Sequence, residues 1–333
     1  MSSLYMIPPQ DFFKVYISCR TYNQSRYIRD ALGGFVAQKT QFPFLAIIMD
    51  DASIDGEQDV IDSYISHSFG HRPDSTIERW ETEDAKWIYA RHDENDNAFI
   101  LAILLKRNLF RNPKKNKLVA GWTDAKYIAM CEGDDYWTDP LKLQKQVDFM
   151  DRNPDYSMCF TNCLVTDGKR TAKGNSYIWD TYTTKEMLLH NSLVTRNRND
   201  RVVSPGHTST ILIRKPLVPR PAWISKCFIG DEPFFIWLST FGKAKFINDV
   251  TSTYRQGVGV SSADYSFEHD NFQRIEMYKT IDKGLDYKYH DLISHKVIAD
   301  YYALLVKRTY KQGAYLKALK YSFGYLVHKL KLS

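Results

Sequence analysis

Residues Tyr127–Pro140 read YIAMCEGDDYWTDP, and they concentrate most of the chemistry that the chain advertises. A short apolar run, Tyr127–Cys131, stops abruptly at Glu132, Gly133, Asp134 and Asp135. Short apolar runs bounded by turn residues suit the buried strands of a parallel sheet. Sheet packing has no use for three carboxylates within four residues at the end of such a strand. Crowded together they repel, and they stay ionised at low cost only with positive charge among them. A hard cation, Mg²⁺ or Mn²⁺, shared between these carboxylates and substrate phosphates would supply that charge. The competing reading is a solvated acidic turn that caps the next helix. Thr138, Asp139 and Pro140 do have the form of a cap and first-turn proline for a helix from Leu141 to about Asn153. That reading accounts for Asp139 and leaves Glu132, Asp134 and Asp135 unexplained.

These acids need elements to hold them. Phe13–Cys19 reads as a first strand, followed by a loop with Arg20, Thr21, Tyr22 and Asn23. Ser25 is placed to cap a helix over about Arg26–Gln38. Phe44–Met49 is a second buried strand that also ends in acids, Asp50 and Asp51. Asp55 and Gln58 have capping-box spacing for a helix over Gln58–Phe69. Strand, helix, strand, helix at this spacing predicts βαβ units and an α/β fold with a mostly parallel sheet flanked by helices. Ligands of such sheets sit at the carboxyl ends of the strands. Thr21–Asn23, Asp50–Asp51 and Glu132–Asp135 therefore converge on one edge. Ala85–Arg91 and Ala98–Leu105 are strands, or a strand and a buried helix, and Arg107–Lys117 is a basic loop. Ser157–Val165, Ser209–Arg214, Ala244–Asn248 and Ser252–Arg255 are further strands. Asp231–Phe241 is a helix opened by acids and Pro233 and closed by Gly242. From about Phe267 onward the pattern is helical.

A chain of 333 residues with 14% aromatic and 44% hydrophobic content folds, either as one large domain or as one with an appendage. The five cysteines show no disulfide or zinc spacing, which points to reduced thiols and a cytoplasmic setting. The N-terminus lacks the basic region and apolar core of a signal peptide. The longest purely apolar run, Ala98–Leu105, falls far short of the roughly 18 residues that span a bilayer. The net charge of +6 is uneven: from Tyr301 to Ser333 there is no Asp or Glu, and Lys307, Arg308, Lys311, Lys317, Lys320, Lys329 and Lys331 carry the excess. No nucleic-acid partner is expected. The basic tail could instead dock on the anionic inner face of the plasma membrane, or simply pack as an amphipathic helix pair on the rest of the chain.

Neither GxGxxG after the first strand nor GxxxxGK[ST] occurs, which disfavours dinucleotide dehydrogenases and P-loop enzymes. A nucleoside diphosphate can be held without such loops through a carboxylate-bound metal, with Asp51 accepting from base or ribose and Tyr22 packing on the base. Group transfer then needs a base to deprotonate the acceptor.

The succession SCRTYNQSRYIRDAL, IIMDDASID, CEGDDYWTDPLKLQKQVDFM, HTSTILIRK, GDEPFFIWLSTFG and TYRQGVGVSS resembles the GT-A fold glycosyltransferases of family 2, inverting enzymes that build bacterial surface polysaccharides. The resemblance covers roughly residues 12–262. It implies a Rossmann-like GT-A domain over residues 1–262 and a helical, basic extension over 263–333. It implies a nucleotide-sugar donor, most simply a UDP-sugar, and a glycan or lipid-linked glycan acceptor, with Mn²⁺ or Mg²⁺ as cofactor. By that resemblance Thr21, Tyr22, Asn23 and Asp51 (Asp50 the lesser match) bind the uridine. Asp134 lies near the ribose, Asp135 is on the metal with Glu132 and Asp134 beside it, and Arg255 lies near the diphosphate or acceptor. The catalytic base is Asp231, with Glu232 the competing choice. Without the resemblance, Asp231 and Glu232 read equally as a helix cap, His207 as an ordinary polar side chain, and Tyr136 and Trp137 as packing. Two other functions stay open: a non-catalytic glycan- or partner-binding protein of the same fold, and a sugar nucleotidyltransferase. The second would need a glycine- and lysine-rich loop that SCRTYNQS does not provide.

Overall fold

The computed structural model describes residues 12–73, 76–110, 112, 114–173, 179–196, 207–216, 218–258 and 266–330. The apolar runs of the first half become the strands β1 (Phe13–Thr21) and β2 (Phe44–Asp50), joined through α1 (Ile28–Val36) and followed by α2 (Glu57–Ser68). Next come β3 (Glu78–Glu81), β4 (Ala85–Arg91), β5 (Ala98–Leu105), the short α3 (Lys114–Leu118) and β6 (Ala125–Met130). The chain continues through β7 (Tyr136–Trp137), α4 (Lys142–Arg152), β8 (Tyr156–Thr166), β9 (Thr171–Lys173), β10 (Thr181–Tyr182) and α5 (Thr184–Arg196). It then forms β11 (Ile211–Arg214), α6 (Asp231–Leu238) and β12 (Lys243–Arg255). Helices α7 (Phe267–Gly284), α8 (His290–Leu292), α9 (Ala299–Lys311) and α10 (Tyr315–Lys329) complete it, with a π-helical turn at Ile293–Ile298.

Among the described residues one twelve-stranded sheet runs in the order β10-β12-β8-β11-β6-β1-β2-β5-β4-β3, with β7 on β12 and β9 on β8. The centre, β6-β1-β2-β5, is parallel. The flanks turn antiparallel through β4 and β11, while β12 runs parallel to β8. Every residue of β2 is buried, as a strand covered on both faces requires. One face packs Ile17, Ile28, Phe35, Ile48, Val147 and neighbours, the other Leu45, Trp87, Ile103 and Trp122.

Several boundaries differ from expectation. Ser25 does not cap α1; its N–H donates to Asp55 Oδ2 (2.9 Å), and the helix starts at Ile28. The Asp55–Gln58 capping box does not form. Asp55 accepts the Glu57 N–H, while Gln58 turns to Asp50 and to the Leu105 carbonyl. Asp139 does not cap α4: the helix starts at Lys142 without a side-chain cap, and Asp139 accepts the Leu141 N–H (2.9 Å) in the turn before it. Ser209 lies in a 3₁₀ turn, Thr208–Thr210, rather than in β11. The two short strands expected over 244–255 are one strand, β12, whose register slips around Val250. Helix α6 ends at Leu238, short of Gly242. That glycine serves close packing instead: a Cβ there would sit 2.7 Å from the Asp155 carbonyl. The expected division at 262/263 falls within 259–265, outside the described residues.

Helices α7 to α10 do not hang free. Ile275, Tyr278, Ile281, Val297 and Leu305 share one apolar cluster with Leu188 of α5 and Ile236 of α6. The five cysteines are buried, and none is bonded to another. Among the described residues no helix is long and apolar enough to cross a membrane.

Candidate active site

The site is assembled by strand register. Thr21 stands beside Asp50 at the ends of β1 and β2, and β6 runs on past Met130, opposite Ser18. The turn after β6 then clips onto β1 through its backbone, Cys131 N–H to Ser18 C=O and Gly133 N–H to Arg20 C=O. Gly133 is required here. A Cβ would collide with the Thr21 hydroxyl and approach Gln24 Oε1 to 2.7 Å.

The loop after β1 is held from below by Glu57, which sequence reasoning overlooked. Its buried carboxylate accepts from the Thr21 hydroxyl, the Gln24 N–H (2.9 Å) and the Ser53 hydroxyl (2.9 Å). Burial nevertheless holds its pKa above the ordinary value. Asn23, in the left-handed region at φ 55°, accepts the Ile54 N–H with its side chain. Thr21 and Asn23 thus build the wall of the crevice, and half-buried Tyr22 lies between them.

The acids at the end of β2 are satisfied. Asp50 accepts from Ser53 and Gln58. Asp51 accepts the Leu109 N–H (2.7 Å) and the Lys115 ammonium (2.8 Å), which binds the loop after β5 to this edge. Lys115 had no role in the sequence reading.

The acids after β6 have donors too, but their pKa values are raised. Asp135 is 1% exposed, and its Oδ1 accepts the Arg255 N–H at 2.9 Å. Glu132 accepts from the Thr208 hydroxyl at 2.5 Å. Burial, followed by the charges of Asp134 and Asp231, pushes Glu132 up to about 7 despite that bond. Burial raises Asp134, and burial with the Glu132 charge carries Asp135 well above the carboxylate range. His207 lies 3.9 Å from Asp135 and 3.0 Å from the Ser209 hydroxyl, and burial lowers it to about 4. At neutral pH it brings no positive charge. Arg255 does, but its guanidinium is enclosed: it donates to the Asp134 carbonyl (2.7 Å) and to Asp30 on α1, and lies 4.4 Å over the Tyr136 ring.

At the start of α6 the two adjacent acids separate. Glu232 is buried and accepts from Arg274 (3.2 Å) and Tyr278 of α7. Asp231 is exposed, accepts the Glu232 N–H at 2.8 Å, and acts electrostatically on Glu132. Tyr254 marks the common ground. Its ring is 4.1 Å from His207, and burial together with the charges of Asp135, Asp134, Glu132 and Asp231 pushes its pKa to about 12. Four acids from two segments of sequence therefore act on one tyrosine. Two surface hollows lie elsewhere, one around Tyr287 and His290 and one around Gln38 and Asn95. Charge singles out this edge.

Among the described residues no three His, Cys, Asp or Glu side chains are already arranged around a metal position. The donor set still fits a hard divalent cation: oxygen-only carboxylates, at the end of a strand, whose ionisation burial and mutual repulsion oppose.

No protein-family model matches the chain. In sequence it is 32% identical over 179 residues to uncharacterized proteins of Mycobacterium tuberculosis and Mycobacterium bovis; the match covers 53% of this chain and spans 43% of those relatives. In structure it is similar to S. aureus TarS in complex with UDP-GlcNAc, at 14% identity and a TM-score of 0.59, over 95% of this chain and 81% of that one. It is also similar to the mannosyltransferase PcManGT from Pyrobaculum calidifontis in complex with GDP-Man and Mn²⁺, at 11% identity and a TM-score of 0.50, over 97% and 89%. The shared feature is the fold. It is the mixed α/β sheet with helical layers and C-terminal helices described above.

Proposed function

We propose that this chain is a nucleotide-sugar-dependent glycosyltransferase of the inverting type, moving a sugar from a UDP-sugar to a hydroxyl of a glycan or lipid-linked glycan acceptor. One observation carries the reading: beside the acidic turn, Glu232 is consumed by Arg274 and Tyr278 while Asp231 stays exposed. The fold it shares with proteins in complex with UDP-GlcNAc and GDP-Man supports the donor class.

In this reading Tyr22, on the wall formed by Thr21 and Asn23, packs on the base. Asp51, fastened to the loop after β5 through Leu109 and Lys115, lies on the nucleoside side, and Asp134 faces the ribose. Asp135, with Glu132 and Asp134, would hold Mn²⁺ or Mg²⁺, which supplies charge neutralisation for the departing diphosphate. Arg255 adds fixed positive charge to the same turn. Asp231 takes the proton of the acceptor hydroxyl. The acceptor oxygen bonds to the anomeric carbon as the bond to phosphate breaks, and the electron pair leaves with UDP. The role demands a carboxylate open to an incoming acceptor, and Asp231 is exposed.

Transfer assays separate the two acids. Asp231→Asn should keep UDP-sugar affinity and lose turnover by about 10²–10⁴. Glu232→Gln should chiefly lower stability. NMR of the new linkage should show an anomer opposite to the donor's. A retained anomer would remove the mechanism, and UDP-sugar binding without turnover by the wild type would favour a non-catalytic glycan-binding protein.

A further inference from the structure

Helix α10 exposes the wrong side for an ordinary packed helix. Leu316 is 86%, Phe323 72% and Leu319 70% exposed. At about 100° per residue, Tyr315, Leu316, Leu319, Phe323, Leu326 and Leu330 fall within one arc of about 100°, a full amphipathic stripe. The helix is not free to roll this stripe inward. Its opposite face, with Ala318 and Tyr321, is already buried. A Cβ on Gly324 would meet the Tyr302 ring of α9 at 2.5 Å, so that face fits closely. The Tyr321 hydroxyl and the Lys317 ammonium both bind Glu268 of α7, and His328 meets Ser294 at 2.8 Å. Packing thus fixes the apolar stripe outward.

The surroundings of the stripe select what covers it. Lys320 and Lys329 flank it on α10, and Lys307, Arg308 and Lys311 are exposed on α9. No Asp or Glu occurs from Tyr301 to Ser333. An apolar ridge about 22 Å long, bordered by lysines whose stems can follow the apolar surface while their ammonium groups reach outward, matches the boundary between acyl chains and anionic headgroups. No described helix is long and apolar enough to cross a bilayer, so the geometry is that of a helix lying in the interface. We infer that the outward stripe of α10 seats this protein on an anionic lipid surface, with Leu319 and Phe323 inserted and Lys320 and Lys329 on the headgroups. The sequence pattern placed the basic charge here. The structure adds the exposed apolar ridge, and the inference stands whether or not the chain transfers sugars.

Flotation of the full chain with vesicles tests it, using phosphatidylcholine alone and phosphatidylcholine mixed with phosphatidylglycerol. The wild type should bind the anionic vesicles and lose at least about tenfold in affinity on neutral vesicles or in raised salt. The double variant Leu319→Ser, Phe323→Ser should lose at least about tenfold on anionic vesicles, and Lys320→Glu, Lys329→Glu a similar amount. All four side chains point outward, so circular dichroism should be unchanged, which separates lost binding from lost fold. Absence of binding to anionic vesicles, or equal binding by the serine variant, would overturn the inference. So would a lipid-free dimer, seen by sedimentation, that the serine variant dissolves, because the stripe would then belong to a second copy.

Discussion

Strand β2 ends in Asp50 and Asp51; strand β6 runs into Glu132, Gly133, Asp134 and Asp135. Both sets of acids sit on the same edge of the same sheet, two strands apart, yet their surroundings are opposite. The first set meets donors on every oxygen, from Ser53, Gln58, the Leu109 N–H and Lys115. Both sets are buried or nearly so, and the second is raised in pKa by burial and by the charges of its own members. The difference lies in which donors reach them. At the end of β2 they come from the Ser53 N–H, from Gln58 of α2, and from Leu109 and Lys115 beyond β5. Backbone pairing is shared: each turn gives an N–H to β1, Asp51 to Thr21 and Gly133 to Arg20. Acids at a strand end can therefore be a well-paired loop fastener or a cluster held above its ordinary pKa, and composition does not say which.

The largest effect should come from neutralising the cluster after β6. With Mn²⁺ present, Asp135→Asn should weaken UDP binding at least roughly a hundredfold by calorimetry, whereas Asp50→Asn should change it less than about tenfold. Similar losses at both positions would erase the contrast. A second test uses the buried Lys142 behind this turn, whose ammonium meets Gln146 and the Trp137 ring and is lowered to about 8 by burial. The unfolded chain keeps the ordinary value and binds more protons between about 8 and 10.5, so stability should rise with pH across that window. Relative to Lys142→Met, denaturant titrations should show the wild type gaining about 2 kcal/mol from pH 8 to 9.5. A flat difference would mean that the lysine is already neutral or well solvated. Next in size, Asp51→Asn should destabilise the protein by about 1–2 kcal/mol in urea, because the Lys115 ammonium loses its charged partner. Smallest is the reverse sign at the other cluster. In metal-free protein, Asp135→Asn should raise stability by about 1 kcal/mol, because a repulsive buried charge is removed while Oδ1 can still accept the Arg255 N–H. A destabilised Asp135→Asn would show that the cluster is already compensated.

The central strands were legible because they are continuous apolar runs, and the EGDD turn because its carboxylates have no packing role. β7, β9 and β10 were not, since two- and three-residue strands form only where a longer partner presents its edge. The bulges of β12 were hidden for the same reason. Glu57 was overlooked, and only its bonds to Thr21 and Gln24, more than thirty residues away, show what it does. Thr208 reaches Glu132 across 76 positions. Tyr254 stood within a motif, TYRQG, from which only Arg255 was drawn; its position among four acids is a property of the folded sheet. For Asp231 and Glu232 the sequence showed only two adjacent acids at a helix start, and it is α7, through Arg274 and Tyr278, that takes up Glu232.

The pairing of Glu232 with Arg274 and Tyr278 bears on how this architecture could be recombined. The helix that presents Asp231 is riveted, one residue later, to the first of the C-terminal helices. Exchanging those helices for another terminal module would leave a carboxylate sealed in the interior without a counterpart, at a cost of about 3–5 kcal/mol. A transplanted module would succeed only if it carried a cation and a hydroxyl to the same spot, so shuffling of the C-terminal helices is constrained by a residue that precedes them in the chain.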